Sequence, residues 1–389
     1  MMLSQRVRTI EPSATLGLNA TLQKLRAEGR DIVNFSVGEP DFDTPAAIRQ
    51  AGIDAIEGGQ TRYTPVPGTP ALRAAVAEFV AKTRGTEVAP EEVIICSGAK
   101  QALTEAMLAM CDPGDEVLLP APYWVSYPDE IKLAEATPVV VTPPEEAKFR
   151  ITPEALEPHV TPRTTGLILN SPSNPSGVIC SPAEIEALVD FAERHDLWII
   201  SDEIYEKFIF DGQFASPFSG RGRERTILIS GLSKSFACTG WRIGWAVGDK
   251  SIIGGMSRLQ GHTASNPCSI SQAAALQAVN DPDNADLKTM IDAFAERRTF
   301  ALERLQAIEG LGVLHPEGAF YLFVDARNFL GEGGSTTELC EALLDSEGVA
   351  TVPGEAFGTP GWIRLSYARS LEEIGDGLDR FARFLDTRR

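Results

Sequence analysis

The chain has 389 residues, 43% of them hydrophobic, enough to bury a sizeable core in two or more domains or in one large one. Its formal net charge of −19 argues against nucleic-acid and anionic-membrane partners. The six cysteines form no C-x-x-C pair and the four histidines lie far apart, so the pattern is of reduced thiols in a cytoplasmic protein with no metal site. The first residues lack the apolar core of a signal peptide, and no run reaches the length of a membrane span.

In chain order, Pro12-Ser13-Ala14-Thr15 reads as a helix start, with Leu16, Leu18, Leu22 and Leu25 behind it. Asp31–Val37 reads as a strand and Gly38 to Pro45 as a turn-rich connection. A helix over Ala46–Glu57 precedes a proline-stiffened loop, Tyr63 to Pro70. An amphipathic helix over Ala71–Thr83 then stops at Gly85.

From there a regular alternation begins. Apolar strands are expected at Val93–Cys96, Glu116–Leu119, Thr165–Leu169, Leu197–Ile200 and Thr226–Ser230, with a sixth, antiparallel, at Gly244–Val247. A helix follows Ser97-Gly98-Ala99-Lys100 through Met110. Another opens at Ser181-Pro182-Ala183-Glu184, a capping box with proline at the first helical position. The pattern predicts an α/β fold: a mainly parallel sheet covered by helices on both faces. A long helix from about Asp286 to Ile308, strands at Ala319–Val324, Val349–Val352 and Trp362–Ser366, and a final helix capped by Ser370-Leu371-Glu372-Glu373 read as a smaller α+β domain. The N-terminal segment is expected to join it, giving a large domain over 46–283 and a small one from 1–45 and 284–389.

Ligands of open parallel sheets bind at the carboxyl ends of the strands. Here each of the first five strands runs into a polar or aromatic motif at that end. Lys234 follows the fifth strand and Gly231 at once, in a chain with nine lysines against twenty-six arginines. A lysine held there is partly desolvated. Bringing its pKa from ~10.4 to ~7 takes roughly 4–5 kcal/mol of differential interaction. A neutral amine can attack a carbonyl and form a Schiff base. Ser233 and Arg242 beside it are phosphate-holding groups, and Gly98-Ala99-Lys100 offers backbone N–H groups at a helix N-terminus. An aldehyde carrying a phosphate fits, and pyridoxal phosphate (PLP) is that molecule. Asp202, at a buried strand end, suits its pyridinium nitrogen. Tyr205 and the Asn174 amide suit its phenolic oxygen, and Trp124 offers a stacking face. Taken one at a time, these residues have ordinary readings as a loop lysine, a helix cap, a turn and a core aromatic.

Together the motifs resemble the class I, aspartate aminotransferase-like family of fold-type I PLP enzymes. The resemblance runs from Pro12-Ser13-Ala14-Thr15 to Arg364-Leu365-Ser366-Tyr367. Its most specific parts are the Lys234 segment, Asn174-Pro175-Ser176-Gly177, Ser201-Asp202-Glu203-Ile204-Tyr205 and Ala121 to Tyr127. It implies Lys234 as the residue that carries the cofactor, and Tyr63 reaching the phosphate from the partner subunit of a homodimer. It further implies Gly38, Trp124, Asn174 and Arg364 around the substrate α-carboxylate, and Lys100 near the substrate side chain. The implied reaction is ping-pong amino transfer between aspartate or glutamate and 2-oxoglutarate or oxaloacetate. Aromatic, alanine or prephenate amino transfer, or a related PLP lyase reaction, stays open. The sequence departs from several family members at Glu11, where they carry a basic residue. A sensor domain of a transcriptional regulator is disfavoured by the acidic charge and by the short stretch ahead of Pro12.

Overall fold

The structure is a computed structural model that describes residues 2–11 and 14–388. The Pro12–Ser13 helix start lies outside the described residues. The strands are β1 Val33–Asn34, β2 Val93–Cys96, β3 Glu116–Pro120, β4 Thr137–Val141, β5 Thr164–Asn170, β6 Trp198–Asp202, β7 Thr226–Gly231, β8 Gly244–Val247, β9 Gly312–Val313, β10 Tyr321–Asp325, β11 Val349–Ala350, β12 Val352–Pro353 and β13 Trp362–Ser366. The α-helices are α1 Gln5–Arg8, α2 Ala14–Ala27, α3 Ala46–Glu57, α4 Pro70–Arg84, α5 Ala99–Met110, α6 Tyr127–Leu133, α7 Pro153–Leu156, α8 Pro182–Arg194, α9 Lys250–Thr263, α10 Ser269–Asn280, α11 Ala285–Gln306, α12 Thr336–Glu347 and α13 Leu371–Asp386.

Seven strands form one sheet in the order β2-β8-β7-β6-β5-β3-β4. Only β8 runs against its neighbours, β2 and β7. The central strands are continuous apolar runs because both faces are covered. Leu103 and Met107 of α5 and Ile253 and Met256 of α9 pack on Ile94, Ile200 and Ile229 from one side. Ile185 and Leu188 of α8 pack on Leu167 and Ile199 from the other. The Ser181/Glu184 capping box forms as expected, with Ser181 Oγ accepting from the Glu184 amide.

Several elements went unread in the sequence, among them the short α1, α7 and β9 and four whose concealment has a clear cause. The edge strand β4 carries Pro138, which an edge position tolerates, and all its residues but Val141 are exposed or part-exposed. Helix α6 is short and opens with Pro128. Helix α9 contains Gly254 and Gly255, which mask its pattern, although Asp249 caps its start. Helix α12 has a capping box at Ser335 and Glu338 that the reading passed over. Two expected strands also differ. Asp31–Val37 narrows to β1, and Val349–Val352 divides into β11 and β12, which belong to different sheets.

Strands β12, β13, β10 and β9 form an antiparallel four-stranded sheet. Strand β1 pairs in parallel with β11, Val33 opposite Val349, so the start and end of the chain share a ladder. Helix α13 packs against β1 and α11.

Two glycines of α13 give a direct test of this packing. A Cβ at Gly375 would make an ordinary 3.6 Å contact with the Phe300 ring. A Cβ at Gly377 would overlap the buried Phe35 ring and sit 2.7 Å from Val33 Cγ1. Alanine gains about 1 kcal/mol of helix propensity over glycine, whereas overpacking costs about 1–3 kcal/mol. Gly375→Ala is therefore expected to raise the thermal midpoint and Gly377→Ala to lower it. Equal shifts would mean that α13 does not press on β1 as described.

Candidate active site

The carboxyl ends of the parallel strands, the segment after β1 and strand β13 enclose a cavity of about 260 Å³. Lys234, in the turn after β7, opens onto it and donates from Nζ to the Gly38 carbonyl at 2.6 Å. Burial lowers the pKa of this amine to about 8. The nearby Arg242 and Arg364 charges act in the same direction, and Glu39 and Asp202 oppose them. Asp202, at the end of β6, is 4% exposed. Burial raises its pKa to about 6 against the hydrogen bonds that favour its ionised form. Those bonds come from the Tyr127 hydroxyl to Oδ2 at 2.7 Å and from the Ile204 amide to Oδ1 at 3.2 Å.

Arg364 projects from β13 and is 3% exposed. Its Nη1 donates to Asn174 Oδ1 at 2.9 Å and its Nη2 to the Ser36 carbonyl at 2.6 Å. The guanidinium also lies over the Tyr321 ring at 4.6 Å and the Phe357 ring at 5.0 Å. Its buried Nε has no partner among the described residues. A buried cation with a donor to spare is suited to an anionic ligand. Asn174 turns its amide nitrogen to the Tyr205 hydroxyl at 3.5 Å, and Tyr205 shares a 2.7 Å hydrogen bond with the Tyr321 hydroxyl.

The phosphate-type corner lies between β2 and β8. Gly98 has φ of +91°, and a Cβ there would sit 2.5 Å from the Arg242 guanidinium. A Cβ on Gly244 would overlap the Ala99 amide nitrogen. Only glycines let these two backbones and the arginine meet at the start of α5. Arg242 itself adopts φ of +53° and donates to the carbonyls of Thr239 at 3.0 Å and Ser97 at 3.3 Å. Ser233 lines the same cavity, as do Trp124 and Lys100. Lys100 Nζ donates to Ser126 Oγ at 3.1 Å and lies 4.8 Å from the Trp124 ring centroid.

The expected residues thus converge on one cavity, with Gly98 packed beneath Arg242. Tyr63 is the exception: it is 91% exposed and does not line the cavity. The sequence reading assigned no role to Tyr127, Tyr321 or Asn170. Asn170 holds Asp202 from its main-chain side, Nδ2 to the Asp202 carbonyl at 3.0 Å, while its Oδ1 accepts from the Asn174 amide at 2.8 Å. Asn170 ends β5 and Tyr127 ends an aromatic run, so both carried a signal. Tyr321 sits within an apolar strand and carried none. A Cβ at Gly38 would overlap the Tyr321 hydroxyl, which explains the glycine after β1.

A second layer holds the β6 turn. Arg84, buried at the end of α4, donates from Nε and Nη2 to Glu203 Oε2 at 3.0 and 2.7 Å and also pairs with Glu206. The two glutamates bracket Ile204 and Tyr205, so one guanidinium fixes both sides of the segment that presents Asp202 and Tyr205.

The chemistry on display is an amine of lowered basicity facing a buried carboxyl, with anion-binding cations on either side. That is the equipment of an enzyme acting on carbonyl compounds that bear negative charge. The family profile "Aminotransferase class I and II" matches residues 30–381. The aspartate aminotransferase of Geobacillus stearothermophilus is 43% identical over 100% of both chains. The aspartate/prephenate aminotransferase of Nitrosomonas europaea is 42% identical over 99% of this chain and 100% of its own. The structure of the Thermus thermophilus aspartate aminotransferase with maleate superposes with a TM-score of 0.95 at 40% identity, covering 99% of this chain and 100% of that one. The chain belongs to the class I and II aminotransferases and is a transaminase, in a family that is in general PLP-dependent.

The lowered basicity of Lys234 has a measurable consequence. An amine reacts with an aldehyde in its neutral form, so the reaction rate of the cofactor-free protein with a small aromatic aldehyde should rise with pH and level off above about 8. Lys234→Arg should abolish this component. A rate that keeps climbing towards pH 10 would place the reactive amine elsewhere.

Proposed function

We propose that the protein is an aspartate aminotransferase that holds PLP in this cavity. On this reading it moves the amino group of aspartate or glutamate to 2-oxoglutarate or oxaloacetate. The observation that carries the reading is the Lys234 amine, depressed to a pKa of about 8, sharing one cavity with buried Asp202 and Arg364. The residues fit the cofactor: Asp202 answers its ring nitrogen, Tyr205 and Asn174 its phenolic oxygen, and Trp124 its ring face. Ser233, Arg242 and the Gly98-Ala99-Lys100 turn answer its phosphate. When bound, PLP supplies the carbonyl and an electron sink for the bond broken at the substrate Cα.

The remaining work falls to the chain's own groups. Lys234 attacks as the neutral amine and later holds the proton taken from the substrate Cα, as general base and then acid. Asp202, ionised near neutral pH, keeps a proton on the atom it faces. Arg364 pairs with the substrate α-carboxylate beside Asn174, Trp124 and the Gly38 backbone. Lys100 meets the second carboxylate of a dicarboxylic substrate, where an unpaired buried charge would cost several kcal/mol.

Addition of aspartate to the PLP-loaded enzyme should yield one equivalent of oxaloacetate per site, and Lys234→Ala should yield none. Lys100→Ser should lower kcat/KM for aspartate about 10–100-fold, the loss of a charge-assisted contact of ~1.5–3 kcal/mol, and affect alanine or phenylalanine far less. An equal loss for acidic and neutral substrates would assign Lys100 to the cofactor instead.

The assembly belongs to the same proposal. Tyr63 stands 91% exposed on its stiff loop, and Ile53 and Ile56 of the preceding helix α3 are exposed as well. A second copy of the chain would cover this face and receive Tyr63 at its phosphate corner. The ladder between β1 and β11 supports a small domain built from both chain ends, 1–45 and 284–389, against a large one over 46–283. The six free cysteines, three of them buried, suit a reducing cytoplasm. Hybrids of inactive Lys234→Ala and inactive Tyr63→Ala subunits should regain activity through one intact site per dimer. Hybrids that form but stay inactive would remove Tyr63 from the partner's site.

A further inference from the structure

We propose that Glu130 is a specificity-determining residue: its buried carboxyl opposes Lys100 from behind the cavity and competes with the distal carboxylate of an acidic substrate for that one ammonium. This rests on the reading of Lys100 as the partner of that distal carboxylate.

Glu130 lies on α6, one turn beyond Tyr127, whose hydroxyl holds Asp202. It is 4% exposed, and neither carboxyl oxygen makes a hydrogen bond of normal geometry. A buried carboxyl without partners is costly, so its charge state answers to whatever charges surround it. Helix α6 packs on α5, β3 and β4. From α5, Lys100 is the opposing charge, and the helix's other titratable group, buried Glu105, is engaged with Gln101, Thr263 and Cys96. The Thr104 hydroxyl also lies close, but its proton is committed to the Lys100 carbonyl at 3.0 Å. From β6, Asp202 adds a like charge. On α6 itself Asp129 adds another, bridged to Lys132 at 3.1 Å, and Tyr127 is neutral. Strand β4 has no titratable side chain, and β3 has only Glu116, held at its start by Arg163 and Thr161.

Burial drives the Glu130 pKa well above the usual carboxylate range, and Lys100 is the first charge that resists it. The other contacts of Lys100, Ser126 and the Trp124 face, carry no net charge. Lys100 therefore stands between two carboxyls, one built in and one arriving with the substrate. While Glu130 is protonated, the ammonium is free for the substrate. As pH rises and Glu130 ionises, it takes up the Lys100 charge and repels the incoming dicarboxylate. Linkage makes this reciprocal, so a dicarboxylate at Lys100 favours the protonated Glu130.

The test is the affinity of the PLP-loaded enzyme for two unreactive ligands, succinate and propionate, from pH 6 to 9. Propionate is the baseline for every group that titrates around the α-carboxylate site. The wild-type ratio of succinate to propionate affinity should fall about tenfold over this range, within the span of ordinary coupling between two sites. Calorimetry in buffers of different ionisation enthalpy should show more proton uptake with succinate than with propionate. Glu130→Gln should flatten the ratio and remove the extra proton. Glu130→Met, which needs no hydrogen-bond partner, repeats the test where the amide is poorly housed. A ratio with the same pH dependence in both variants as in wild type, or a flat wild-type ratio, overturns the inference. If Lys100→Ser leaves the ratio unchanged, the reading of Lys100 fails as well. If Lys100→Ser lowers the ratio while Glu130→Gln leaves its pH dependence intact, only the role of Glu130 falls.

Discussion

The Lys234 amine and the Asp202 carboxyl share a cavity too dry to keep either fully charged without help. Burial pushes the amine down to about 8 and the carboxyl up to about 6, and each opposes part of the other's shift. That window serves both duties near neutral pH, leaving a useful fraction of neutral amine beside an ionised carboxylate. It depends on the donors around Asp202. Without the Tyr127 hydroxyl and the Ile204 amide, burial alone would drive the carboxyl further towards its neutral form. The clamp of Arg84 on Glu203 and Glu206 serves the same end one layer out. It offsets the charge of Glu203, next to Asp202, and of Glu206, and fixes the segment that aims Tyr205.

Arg364 poses the opposite problem, a cation buried in an aromatic and apolar corner. Its cost is offset by the Asn174 amide oxygen, the Ser36 carbonyl and two ring faces. Ser36 lies just after β1, near the start of the chain, and Arg364 in β13, near its end. The Ser366 amide, donating to the Phe35 carbonyl at 2.8 Å, ties the two segments side by side. The Arg364 side of the cavity is therefore made by contacts between chain ends, and the Lys234 side by the ends of one continuous sheet.

This division explains what could be read from the sequence. Residues at the ends of β2, β3, β5, β6 and β7 were legible because an apolar run followed by a polar or aromatic motif marks a strand end. Lys234, Asp202, Asn174 and Trp124 all carried that mark. Arg364 and Gly38 came through family resemblance, since nothing in their local pattern says that they meet. Tyr321 was invisible for a physical reason. Its hydroxyl reaches Tyr205 through the placement of β10 beside β13, a relation between segments that no local window holds. Glu130 was missed because a glutamate in a short polar stretch looks solvated, and its burial depends on how α6 lies on α5.

The charge distribution adds a constraint on substrate choice. A molecule with a formal charge of −19 repels dicarboxylates at long range, and more strongly at low ionic strength. At physiological salt the Debye length is about 8 Å, so most of that surface charge is screened before a ligand reaches the opening. At the cavity, Arg364 is buried and Lys234 part-buried, where screening is weak, and the exposed Arg242 and Lys100 line the same opening. Local cations can thus select an anionic substrate on an acidic protein, provided that the carboxyls among them are paired or protonated. Asp202 meets the condition through its hydrogen bonds. Glu130 has no hydrogen bond of normal geometry among the described residues, so its proton is the remaining variable in the balance of charge that an acidic substrate encounters.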